Sequence, residues 1–136
     1  MTGSRITRHN PPTLHDTPGY HHITTVEPGR MAYFAGQCPV DRSGSVVGAD
    51  VPAQVDQATA NAALALAAAG AEPGDVVRAV VYVVTDDPAV LSAAWTRCRA
   101  SVIADAFTTA STLLGVAMLG YPGQLVEIDL TVALPD

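Results

Sequence analysis

The run "DVVRAVVYVVTD", residues 75–86, restricts the fold of this chain more than any other segment. Successive side chains on a strand point to opposite faces. Val76, Val80, Tyr82 and Val84 therefore share one face, and Val77, Ala79, Val81 and Val83 share the other. A strand that is apolar on both faces needs cover on both. With 136 residues, the chain is long enough for one domain with a real core and too short for two ordinary ones, so the cover on each side is limited.

The flanking elements account for one side. Residues 1–16, "MTGSRITRHNPPTLHD", are polar and carry the Pro11-Pro12 pair, so a flexible N-terminal arm is expected there, followed by a single domain over 17–136. "GYHHITTVE" and "MAYFAGQCPV" have the β-branched and aromatic content of strands, separated by Pro28-Gly29. Asp50 is placed to cap a helix with Pro52 in its first turn, ending near Ala69 before Gly70. Val55, Ala58, Ala62, Leu66 and Ala69 make its apolar stripe, with Gln54, Gln57 and Asn61 elsewhere on the cylinder. A second helix is predicted over 87–106, capped by Asp87, with Val90, Leu91, Ala94, Trp95, Cys98, Val102 and Ile103 facing inward. Two last strands, about 110–119 and 124–133, flank the turn "GYPG". The order is β-β-α-β-α-β-β, an α+β sheet with two helices on one face. Those helices leave the other face of the central strand bare, and a second copy of the chain is the most economical cover.

Composition removes several function classes. A content of 49% hydrophobic and 15% charged residues describes a packed globule. A net charge of −6 supplies no general attraction to phosphate backbones or anionic membranes, so neither nucleic acid nor membrane is an expected partner. Cys38 and Cys98 lie far apart with no metal-ligand spacing, so buried thiols are expected, with no metal site. Without a leader-like apolar run, the expected location is cytoplasmic.

Few residues carry chemistry. In "QLVEIDLTV", Val126, Ile128, Leu130 and Val132 share a face suited to the helices, while Glu127 and Asp129 point the other way, toward the surface that would meet a neighbour. A carboxylate in such a cleft can orient or deprotonate water; a solvated strand face is the plainer alternative. His21 and His22 are adjacent, so they cannot reach one metal from a strand; one of them is a candidate for proton exchange, against an ordinary hydrogen-bonded histidine. Cys38 lacks the local His/Asp arrangement of a nucleophile.

In this order, "PGY" (18–20), "YFAGQCPVD" (33–41), "QVDQATANAALALAAAGAEPGDVVRAVVYV" (54–83) and "VEIDLTVAL" (126–134) resemble the YjgF family, also called the RidA or reactive-intermediate deaminase family. The resemblance spans about residues 18–134. It implies a chorismate-mutase-like fold assembled as a barrel-like homotrimer, with small-molecule sites in the clefts between subunits. It also implies cofactor-independent hydrolysis of reactive imines and enamines.

Carried over position by position, the resemblance makes Glu127 the water-positioning carboxylate and Tyr20 the site tyrosine, both catalytic. It puts Gly36 on the cleft wall and Ser111 and Thr112 at the substrate; His22, which is not the family's residue at its position, is read beside Tyr20 as a further hydrogen-bonding group for the substrate. Where the family has a carboxylate-gripping arginine, this chain has Ala110 within "TTAST". Ala35 and His21-His22 are further departures. The expectation is a RidA-like enzyme acting on an imine, enamine or related unsaturated metabolite that need not carry an α-carboxylate. The alternative is a trimeric metabolite-binding or regulatory protein without turnover. Ribonuclease action, also attached to the family, gains nothing from the acidic balance.

Overall fold

The computed structural model describes residues 4–135. Its order is β1 (Ile6–His9), β2 (Ile23–Val26), β3 (Met31–Tyr33), α1 (Val51–Ala68), β4 (Val76–Val84), α2 (Pro88–Arg99), β5 (Ala110–Val116) and β6 (Val126–Ala133). The main sheet runs β3-β6-β4-β5, with β4 antiparallel to β6 and parallel to β5. The expected α+β arrangement is therefore present, with an added leading strand.

That strand replaces a loose arm at residues 6–9, while residues 1–3 of the expected arm lie outside the described residues. Ile6–His9 pairs antiparallel with β2, matching Ile6 to Val26 and His9 to Ile23. The polar side chains that suggested an arm are the means of attachment. Arg5 Nη1 donates to the Glu27 carbonyl at 2.7 Å, and its Nη2 donates to the Arg30 and Leu134 carbonyls at 2.5 and 3.1 Å. Arg8 Nη2 donates to the carbonyls of Gly74 and Val76 at 3.0 and 2.8 Å.

The alternation read in β4 and β6 sorts the core. Val77, Ala79, Val81 and Val83 are buried against Val126, Ile128, Leu130 and Val132, and this layer meets Val55, Ala58, Ala62 and Leu66 of α1 and Ala94, Trp95 and Cys98 of α2. Val76 joins the buried layer because the β4–β6 register shifts between Val76 and Arg78, a bulge that moves it off the face the alternation assigned. The opposite face, carrying Val80, Tyr82, Val84, Leu114 and Tyr33, has no helix on it; Tyr33 is 79% exposed.

Both helices begin as expected. Asp50 Oδ1 accepts from the Ala53 amide and Asp87 Oδ1 from the Ala89 amide, both at 2.9 Å. Helix α2 ends earlier than predicted. The Ser101 hydroxyl donates to the Cys98 carbonyl at 2.6 Å, offering the backbone an alternative to another helical turn. A 3-10 turn, Ala104–Phe107, then drives Ile103 and Phe107 into the core, while Val102, assigned to the inner stripe, is exposed. Gln54, placed off the apolar stripe of α1, is buried. Its Nε2 donates to the carbonyls of Gly48 and Gly123 at 3.1 and 2.9 Å, and its Oε1 accepts from the Leu125 amide at 2.6 Å.

Candidate functional site

The expected site residues form two groups within one chain. The first surrounds Glu127 on β6. After β3 the chain stays beside β6: the Gln37 amide donates to the Ile128 carbonyl at 2.6 Å, and the Ile128 amide donates back at 3.0 Å. This places Gly36 against the Glu127 carboxylate, where a Cβ would sit 2.3 Å from Oε2. Oε1 is held by two donors, the Cys38 thiol at 3.3 Å and Gln124 Nε2 at 3.2 Å. The carboxylate is thus fixed through one oxygen, leaving the other on the Gly36 wall.

Two residues not selected from sequence support this group. Gln124 is buried; its Oε1 accepts from the Tyr121 amide at 3.1 Å and its Nε2 also donates to the Val126 carbonyl at 3.0 Å, so its orientation is determined by backbone. Asn61, read as a polar-face residue, donates through Nδ2 to the carbonyls of Cys38 and Val40 at 2.9 and 2.8 Å, and its Oδ1 accepts from Gln57 Nε2 at 3.0 Å. The Gln-Ala-x-x-Asn spacing on α1 was the available signal: one helical turn lets Gln57 orient the amide that holds the Cys38 loop. Burial, followed by hydrogen bonding to Glu127 and that residue's charge, pushes the Cys38 thiol up to about 11. Cys98 is raised to about 12 by burial alone. Both are poor nucleophiles near neutral pH.

The second group lies at the free edge of β5. Tyr20, Trp95, Thr96, Ser111, Thr112 and Leu113 line a cleft of about 480 Å³. Tyr20 packs edge-on against Trp95, with centroids 6.0 Å apart, and Trp95 Nε1 donates to the Pro18 carbonyl at 2.9 Å. His22 lies edge-on to Tyr20 at 6.1 Å, but its Nε2 is engaged by the His15 carbonyl at 2.9 Å. Both histidines precede β2, and His21 Nδ1 bonds the Thr108 carbonyl. Ser111 and Thr112 point to opposite faces of β5 and both reach the cleft because it wraps the strand edge. Ala110 is on the same face as Thr112, and its amide donates outward to Thr24 Oγ1 at 3.0 Å.

Strand β4 separates the two groups, since Tyr82 pairs with Glu127 on one side and Leu114 on the other. Two strand spacings amount to about 10 Å. One small substrate therefore cannot touch both groups on a single chain. Among the described residues, no cluster of His, Cys, Asp or Glu could hold a metal ion, and no helix is long and apolar enough to cross a membrane.

Comparison with known proteins agrees with this architecture. The structure superposes on YyfB, a Rid-family protein from Yersinia pestis, with a TM-score of 0.85 and 34% identity, covering 96% of this chain and 99% of that one. Rv2704 from Mycobacterium tuberculosis, a member of the YjgF/YER057c/UK114 family, matches with a TM-score of 0.63 and 25% identity over 95% of this chain and 99% of that one. A 2-iminobutanoate/2-iminopropanoate deaminase of Salmonella typhimurium is 37% identical over 62 residues, 46% of this chain and 48% of the deaminase, so the match spans about half of that relative. The family model described as Endoribonuclease L-PSP matches residues 14–134. With the sheet, the helix layer and the matched span in agreement, the chain belongs to the Endoribonuclease L-PSP family, the YjgF/RidA family.

Proposed function

We propose that this protein is a RidA-like, cofactor-independent enzyme that acts on an imine, enamine or related unsaturated small metabolite, by hydrolytic deamination or a related proton transfer. The reaction takes place in clefts between the subunits of a homotrimer. The observation that carries this reading is the Glu127 carboxylate, held through Oε1 by Cys38 and Gln124, with Oε2 on the Gly36 wall. Assembly would join the Glu127 group of one copy to the Tyr20–Thr112 cleft of the next, and the helix-free face with Val80, Tyr82, Leu114 and Tyr33 is the apolar surface available for it.

In the hydrolytic reaction Glu127 takes a proton from water as the water oxygen attacks the imine carbon. The nitrogen, protonated in turn, leaves as ammonia when the carbon–nitrogen bond breaks and a carbonyl forms. Tyr20 and the His22 ring nitrogen that is not engaged by His15 hydrogen-bond the substrate, and the backbone near Gly36 and Thr112 stabilises the developing charge. Ala110 changes which substrate is preferred. The test is release of ammonia and keto acid from 2-iminobutanoate generated in situ, above the spontaneous rate, by the parent and by Glu127→Gln. A ligand bound in the cleft with no turnover by the parent would favour the binding-only alternative.

A further inference from the structure

Arg78, in the middle of the sheet, is unused by this reading. It lies on the helix-free face of β4 and is exposed. In the register it pairs with Ala110 on β5 and Thr131 on β6. Ala110 presents only a methyl group beside it, and the Arg78 side chain reaches from β4 to β5: Nη2 donates to Thr112 Oγ1 at 2.6 Å. A guanidinium carries five N–H donors in a planar fork. Here one of them meets a neutral hydroxyl, and among the described residues no carboxylate lies within ion-pairing distance of it, although Asp129 and Glu127 share its face. The neighbouring strand edge adds donors. The Ala110 amide points outward to Thr24, so by strand alternation the Thr112 amide points outward two residues further along.

We propose that Arg78 is the anion-recognising residue of the cleft, reaching from β4 across Ala110 to bind the carboxylate of the substrate beside Thr112. This rests on the reading of the cleft as an imine or enamine site and narrows its substrate class to carboxylate-bearing imines and enamines. Ala110 then changes where the anion is held, not whether one is held. A planar fork pre-positioned by a single hydroxyl retains donors for a bidentate carboxylate contact, which a lysine ammonium does not reproduce.

The test uses the full chain in its native assembly and two stable probes, 2-oxobutanoate and its neutral methyl ester, titrated by calorimetry. Arg78→Gln is expected to weaken 2-oxobutanoate binding by about tenfold or more, with Arg78→Lys intermediate, while the ester changes by no more than about twofold. Should Arg78→Gln fail to assemble, Thr112→Val removes the anchoring hydroxyl with little change of shape and is expected to weaken the carboxylate probe alone by about threefold. Equal carboxylate binding by parent and variants, or no binding by the parent, overturns the proposal. Turnover of 2-iminobutanoate is measured in parallel. Selective loss of carboxylate binding without any turnover in the parent sustains Arg78 and overturns hydrolysis. Turnover that Glu127→Gln abolishes and Arg78→Gln leaves with an unchanged KM sustains hydrolysis and overturns Arg78.

Discussion

Gly36 and Glu127 are in such close contact that a methyl group on the glycine would lie 2.3 Å from Oε2 and 2.6 Å from Cδ of the carboxylate. Real Cβ atoms essentially never come this close, so an alanine here would push the carboxylate away from the position that Cys38 and Gln124 give it. Gly36→Ala is expected to preserve the fold, at a cost of about 1–3 kcal/mol for local overpacking. It should reduce turnover by about a hundredfold through misplacement of the base. Thermal melting and steady-state kinetics on one sample separate the two effects; unchanged turnover would remove Gly36 from the site.

Glu127→Gln keeps the shape of the side chain and its ability to accept from Cys38 and Gln124, but it cannot take a proton from water. A loss of about 10² to 10⁴ in kcat is expected, with assembly intact. A kcat equal to that of the parent would exclude Glu127 as the base.

The Cys38 thiol reports on the same carboxylate. Burial raises it first, and the hydrogen bond and charge of Glu127 raise it further, to about 11. A raised thiol pKa means that the neutral form persists as pH increases, with thiolate appearing only near that value. In Glu127→Gln the charge is gone, leaving burial and a neutral acceptor to hold the thiol up, so its titration moves to lower pH. Carbon-13 NMR of Cβ-labelled cysteine measures both midpoints, and identical midpoints would contradict the Cys38–Glu127 contact.

The bare face of the sheet leads to a test of assembly. Val80, Tyr82 and Val84 are half-buried in one chain, and Leu114 and Tyr33 are exposed beside them. Sedimentation equilibrium is expected to give a species with three times the chain mass. Tyr33→Glu and Leu114→Glu, which put charge on that face, should shift it toward monomer. A parent that sediments as a monomer at micromolar concentration would remove the composite cleft.

Gln54 joins α1 to two turns through three hydrogen bonds, all inside the protein. Gln54→Leu strands the Leu125 amide and two carbonyls. It is expected to lower stability by about 3 kcal/mol, measured by urea denaturation.

Some of this architecture is local and therefore readable along the chain. The period-two alternation in Val126–Ala133 sends Glu127 away from the helix layer whatever lies beside it, because strand geometry alone determines that. The caps at Asp50 and Asp87 are equally local. Other features depend on partners distant in sequence. Residues 6–9 form a strand because Arg5 and Arg8 find backbone carbonyls more than twenty residues away. Gln54 is buried because two turns bring carbonyls to it, and Ile103 and Phe107 are buried because the 3-10 turn after α2 packs them against distant elements. The placement of Arg78 opposite Ala110 belongs to this second kind. Spacing along the chain separates them by a helix and a turn, and only the parallel β4–β5 register, set by how the core packs, pairs the arginine with the alanine and lets its guanidinium reach Thr112.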